Sequence, residues 1–559
     1  FNLNGISGLA DVTTYNLITA PSGLSAGTYQ LGSQPGGFTS GTLTVTDTLV
    51  SYTTGTAIIS DTYWNNTQAT GSWATNNAGL TNFTTDLAGV TEGGFTPGPG
   101  STVIFGTTNA VALAGTAFAT TLDASFTVAG LRFTGNPGGV TSWSIASGTP
   151  ATSTLTIRAA GIDVGANAGS VTLSAPLVLG ADQSWAVDGT GANGSTLTIA
   201  AAIAGSGRSL TKTGNGVLNL AAASTFDGGL VVKAGTVIGT TTAAAFGAGS
   251  ITLGDTTGSA SAFLQSNTSA LTFARPLILA AGTTGTLSVG TPVNAAAVNV
   301  TFSAGVTGAN TLTVNNQSLS GTTIFSLQPV NHAGAFVNVG SSTGTVTISG
   351  GVGANVTRIQ ESSAAGALTV STTALTVNAA GTTLANDSST GKVLTLSAVT
   401  AGAGDLILQS AVTGVSSVIL VSGAPNHVGR IINSGTGSAA SNGASVVLSG
   451  LLGANLTGIV QDSATSPMSL SANNAAYAGG MLIKKGVLIG LTSSNSLGSA
   501  SNVITIGDSS GSADATLGVQ TDATFYPAQI VVAAGNTGVA RLAGYTTTGQ
   551  PTITGSVTL

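Results

Sequence analysis

The stretch from Ser209 to Asp255, SLTKTGNGVLNLAAASTFDGGLVVKAGTVIGTTTAAAFGAGSITLGD, limits what this chain can fold into more than any other part of it. Leu218 and Leu220 fall on one side of a strand, Val217 and Asn219 on the other. Gly214 and Gly216 stand just before it, and Gly228 and Gly229 just after. Leu230 to Val232 and Ile251 to Leu253 are again short runs of apolar or β-branched residues, and Gly254 closes the last of them. Short runs with period two, broken by Gly, Ala, Ser and Thr and without a helical period, predict strands joined by tight turns.

The same pattern returns later. STFDGGLVVKAGTVIG (224–239) matches AAYAGGMLIKKGVLIG (475–490); Gly228 recurs as Gly479, an offset of 479 − 228 = 251. Lys233 matches Lys484, and ITLGD (251–255) matches ITIGD (504–508). A second duplication lies between the copies. VNHAGAFVNVG (330–340) matches PNHVGRIINSG (425–435), and GGVGANVTRIQESSAAGALTVS (350–371) matches GLLGANLTGIVQDSATSPMSLS (450–471), offset at the shared GAN by 453 − 353 = 100. Self-similarity of this kind marks a stacked architecture, in which one supersecondary unit cannot bury its apolar side alone and its neighbours do so. The expected fold is all-β, a repetitive parallel β-helix or β-solenoid. Coils of about 20–30 residues would give about 20–25 rungs and a rod of roughly 100 Å. Serial β-sandwich modules are the alternative, signalled by turns every 8–12 residues or so.

The organisation follows in chain order. Residues 1–55 contain YNLITAPSGLSAGTY, and residues 56–110 carry Tyr63, Trp64, Trp73 and Phe83 and read as an aromatic cap or a module start. Residues 111–325 are expected to be solenoid with the first motif copy, residues 326–471 the paired NHxG repeats, and residues 472–559 the second copy, open-ended. The motif LTKxGxGxLxL…GG…xxGxV…ITLGD resembles the autotransporter-associated β-strand repeat of secreted bacterial surface proteins. Within that resemblance, a YxLLTA…GLSGTF-like stretch closes a module, whereas here its counterpart stands first; residues 1–55 are therefore a module-closing segment and a candidate intersubunit joint. YWNNTQATGSWATNNAGLTNF followed by PGPGSTVIFG resembles the opening of a fresh module in the same family. The resemblance implies an extracellular or bacterial cell-surface location.

Composition then narrows the function. Only 5% of the residues are charged, against about 25% in an average soluble protein, so the outer face must be made of Thr, Ser and Asn. The net charge of −6 is spread along the chain without a basic patch, which argues against nucleic acid as a partner. There is no cysteine, which suits a chain threaded unfolded through envelope pores. No run of 18 apolar residues predicts a transmembrane helix. Phe1 is not an initiator, so the chain is expected to be processed or a piece of something longer.

Candidate chemistry is sparse. The glutamates are Glu92 and Glu361, and aspartates such as Asp182, Asp188, Asp227, Asp255 and Asp508 are scattered. Polysaccharide lyases and hydrolases on β-helices need acids, or an acid with Arg or Lys, crowded on one face. The two histidines, His332 and His427, occupy the paired repeat, with Glu361 and Asp462 at nearly equivalent places. One acid some thirty residues away is no metal cluster, and Asn-His before Gly reads as a turn. No catalytic residue, metal site or cofactor is expected. The primary reading is a non-catalytic structural protein that self-associates head to tail into a surface filament, with Tyr15, Leu17 and Leu559 at the joint. The alternatives are an adhesin passenger, with Trp64 and Trp73 or a flat Thr-rich face contacting a glycan or a neighbouring or host cell surface, and a glycan-active β-helix enzyme.

Overall fold

A computed structural model describes residues 13–30, 41–55, 60–73, 81–90, 96–106, 117–134, 142–189, 195–268, 270–294, 296–440, 443–520, 525–545 and 551–559. Among these, strands account for every regular element except a 3₁₀ turn at Leu24–Ala26. The chain divides into two compact units, Phe1–Gln265 and Ser266–Leu559. That boundary falls within the segment 111–325, which the sequence reads as continuous solenoid.

The first unit begins with an antiparallel sheet in which Leu49–Thr53 lies between Thr14–Thr19 and Thr42–Val45. From Ser60 onward the pairing is mostly parallel. Ser60–Trp64 pairs with Ser101–Phe105, which pairs with Phe126–Phe133, and the ladder continues through Leu155–Val164, Gln183–Val187, Leu210–Thr213, Leu230–Val232 and Ile251–Leu253. A second ladder runs from Ala117–Leu122 through Ser142–Ser147, Ser170–Leu173, Thr196–Ile199 and Val217–Leu220 to Gly235–Gly239. Parallel pairing excludes the sandwich alternative, whose sheets are antiparallel.

The sequence produces this stack through period two. A pleated strand sends alternate side chains to opposite faces, so Val171, Leu197, Leu218 and Val237 stand in one register column and all are buried. Between them Thr172, Thr198 and Asn219 face outward and are half-buried. Like side chains stack on like where parallel strands are in register. Phe105 and Phe133 lie 4.7 Å apart with planes inclined by 8°, and Phe118 and Trp143 4.9 Å apart at 18°.

The second unit repeats the design. One ladder runs from Leu271–Phe273 through Val300–Phe302, Thr323–Phe325, Val346–Ile348, Leu368–Val370, Leu394–Leu396, Ile419–Val421, Val446–Leu448 and Met468–Leu470 to the second half of Met481–Gly490, Ala515–Val519 and Ala540–Gly544. The other passes through Leu312–Ser318, Gly334–Asn338, Val356–Glu361, Thr382–Asn386, Leu406–Ser410, Gly429–Asn433, Leu456–Asp462 and the first half of Met481–Gly490. A turn takes 22 residues from Val346 to Leu368 and 29 from Leu488 to Leu517. Among the described residues the units together make about 17 turns of solenoid. That is fewer than expected, in part because the N-terminal strands pair antiparallel instead of coiling.

Turn glycines hold the coils close. Gly453 has no room for a side chain: a Cβ there would overlap the Asn426 carboxamide of the preceding turn, and Gly353 meets Asn331 in the same way. The Asn331 side chain accepts the Asn355 N–H at 3.0 Å, and Asn426 accepts the Asn455 N–H at 3.1 Å. The two NHxG units are thus hydrogen-bonded to the GAN segments that follow them, so the duplicated pair is one structural device used twice.

Candidate functional site

The residues singled out by sequence do not converge. Trp64 and Trp73 are 1% and 0% exposed. They share a cluster with Phe83, Phe105 and Phe126: Trp64 to Phe83 is 5.1 Å, Trp73 to Phe83 5.5 Å and Trp73 to Phe126 5.4 Å between ring centres. The Trp73 indole N–H donates to the Thr120 hydroxyl at 3.1 Å. No sugar can stack on either ring without opening this core. Tyr15 is half-buried opposite Tyr52 on an edge strand, Leu17 sits at a register irregularity of that strand, and Leu559 is exposed. Glu92 lies outside the described residues.

The histidines are structural in their surroundings. The His332 Nε2 lies 3.0 Å from the Ala335 carbonyl, and the His427 Nε2 lies 3.3 Å from the Arg430 carbonyl. The His427 Nδ1 meets the Thr400 hydroxyl at 2.8 Å. Burial lowers the pKa of both rings. Among the described residues there is no group of three His, Cys, Asp or Glu side chains that could hold a metal ion.

The scattered acids serve turns and ion pairs. Asp182 and Asp188 flank the strand Gln183–Val187 at its two ends, so about 20 Å of extended chain separates them. Asp182 accepts the Ser209 N–H, Asp227 accepts the Gly207 N–H and Asp255 pairs with Lys233. Asp405 binds Arg430 at 2.7 Å and Asp514 binds Arg541 at 2.6 Å.

Two arrangements in the second unit were not anticipated. The first is a groove of about 260 Å³ across four neighbouring strands, lined by both polar side chains and alanine methyls. Its floor is Ala385, Asn386, Ser410 and Gly435, all buried; Arg358, Gln409 and Ser434 stand half-buried beside it, and Asp387, Ala411 and Thr436 are exposed at its rim. The Arg358 Nε donates to the Gln360 carboxamide oxygen at 2.6 Å, and its Nη1 to the Gln409 carboxamide oxygen at 3.3 Å. Asp387 accepts from Gln360 at 2.9 Å and from the Ser362 hydroxyl at 2.5 Å. Gln409 donates to the Ser434 hydroxyl at 3.3 Å. The Ser410 side chain, in register with Glu361 and Asn386, faces inward behind the groove, and its hydroxyl has no hydrogen-bond partner among the described residues.

The second arrangement lies behind the groove, on the inward side of the same strands. Glu361 is 0% exposed. Its Oε2 accepts from the Asn338 carboxamide at 2.9 Å and its Oε1 from the Ser363 N–H at 2.6 Å. Burial outweighs these donors and pushes the carboxyl up to about 8. In the duplicate the structural counterpart is Gln461, whereas the sequence reading set Asp462 opposite Glu361. Asn433 donates to the Gln461 Oε1 at 2.8 Å as Asn338 does to Glu361. Ser363 and Ser463 donate to the Gly340 and Gly435 carbonyls, each at 2.6 Å. Asp462 points the other way and pairs with Lys485 at 3.2 Å. The shared GAN offset by itself aligns Glu361 with Gln461, so the signal was present in the sequence.

No protein-family model, no curated protein and no solved structure matches this chain.

Proposed function

We propose that this chain is a non-catalytic structural protein of the bacterial cell surface, whose solenoid coils associate head to tail with further copies into a filament. The observation that carries the reading is the state of the last turn in the second unit. Leu517 is 1% exposed, but Leu542, its register partner in the next turn, is 48% exposed; Ile530 is 2% exposed and its partner Val557 49%. Val539 and Leu559 are exposed beside them. Side chains in columns that are core elsewhere are exposed in this coil, and a coil of a second copy stacked in the same parallel register would cover them. A second copy whose edge strand Thr14–Thr19 docks there, with Tyr15 and Leu17 in the contact, makes a heterologous joint that propagates. The motif resemblance to secreted surface repeats supports the location, and the use of the acids in turns and ion pairs supports the absence of catalysis.

Negative-stain electron microscopy of the purified 559-residue polypeptide tests this. Concentration-dependent filaments with a regular subunit repeat are expected, and Leu542→Glu with Val557→Glu should leave single particles. Removal of residues 1–55 should do the same. Monodisperse particles of the unaltered chain at high concentration would refute the assembly.

A further inference from the structure

We propose that the groove lined by Arg358, Asp387, Gln409 and Ser434 is a binding site for a neutral carbohydrate. The argument begins with what the fold does not require. The internal duplicate builds the same strand with Gly458 where Arg358 stands and Val460 where Gln360 stands. Both copies keep the inward residues, the GAN turn and the Asn–Glu or Asn–Gln bond. The long polar side chains on the outer face are thus dispensable to the coil, in a chain with only 5% charged residues. They nevertheless converge with Asp387 and Gln409 from the two following turns.

The chemistry of the groove selects its ligand. Arg358 and Asp387 give it one cation and one anion, so it has no net charge to attract an ion, and a phosphate or uronate would meet the Asp387 carboxylate. Its lining has no aromatic ring and no aliphatic side chain larger than the alanine methyls to hold a lipid or a flat apolar molecule. What remains are amides and hydroxyls that both donate and accept, the complement of a sugar's hydroxyl groups. Among the described residues Arg358 uses two of its five N–H groups. The lining strands are successive rungs about 4.8 Å apart, so the groove runs along the stack and suits an extended oligosaccharide lying across the turns.

This site does not depend on assembly, and a monomeric chain tests it equally well. The probes are immobilised neutral hexose and pentose oligosaccharides, with uronic-acid oligosaccharides and sugar phosphates beside them. The expected result is binding of at least one neutral oligosaccharide, with affinity falling tenfold or more in Arg358→Gly with Gln360→Val. That variant borrows the duplicate's residues and should keep its thermal unfolding midpoint. Gln409→Ala, which leaves the strand glycine-free, is the second variant and should weaken the same probe. Binding to none of the neutral probes, binding that survives both variants, or preference for the acidic probes would each overturn the assignment.

Discussion

Glu361 makes the stability of the second unit depend on pH. A carboxyl whose pKa rises on folding binds its proton more tightly in the native state. Its contribution is complete below the unfolded value, near 4.5, and is lost as pH rises toward about 8. The loss over this window is about 1.4 kcal/mol per pH unit. From pH 5 to pH 8 this sets an upper bound of about 4 kcal/mol, and water entry on ionisation lowers what is measured. The groups that act on Glu361 from its surroundings are the Asn338 and Ser363 donors, the Asp387 carboxylate, which raises its pKa, and Lys392, which lowers it. Because a solenoid opens locally, the assay is amide hydrogen exchange over Val356–Asn386, expressed as protection factors so that the intrinsic pH dependence cancels. Protection should fall between pH 5 and pH 8 in the native chain. Glu361→Gln copies Gln461 of the duplicate, so it should fold and give a flat profile, with Asp387→Asn as the control that keeps most of the slope. Identical profiles for the native chain and Glu361→Gln would refute the reasoning.

Further outcomes are expected elsewhere in the chain. Lys212 is buried and donates to the carbonyls of Thr213 at 2.6 Å, Gly214 at 2.7 Å and Ala234 at 3.3 Å; Lys212→Met strands these acceptors and should cost about 2–4 kcal/mol in urea unfolding. Burial brings the Lys212 ammonium down to about 8, so the native chain should gain stability from pH 8 toward 10.5, and Lys212→Met should lose that gain. The lowered pKa values of His332 and His427 mean that stability falls as pH drops below 6.5, where the unfolded rings take up protons first; His332→Gln with His427→Gln should flatten that acid limb in a pH series of thermal melts. Gly453→Ala forces a methyl into the Asn426 carboxamide and should cost about 1–3 kcal/mol, with faster exchange of the Asn455 amide. Trp73→Ala empties the aromatic cluster at the start of the coil and should cost about 3–5 kcal/mol by calorimetry.

The sequence alone carried the coil. Period-two runs such as LTI, LNL and LVV between small-residue turns have one way to bury their apolar side repeatedly, and duplication of the GG and NHxG motifs requires that neighbours supply the cover. Local patterning also made the NHxG units turns, because Asn and His side chains bond nearby backbone whatever the distant fold does. Other features depend on which residues of successive turns become neighbours. The register decides that Trp64 and Trp73 are core and not a platform, since Phe83, Phe105 and Phe126 arrive from other strands to cover their faces. It also brings Arg358, Asp387 and Gln409 together across turns of about 25 residues, a distance at which no motif is visible. The difference between Glu361 and Asp462 has the same origin. One residue of phase moves a side chain from the interior to the surface: the GAN offset already pairs Glu361 with Gln461, and stacking against Asn338 and Asn433 turns both inward while Asp462 faces the lysines.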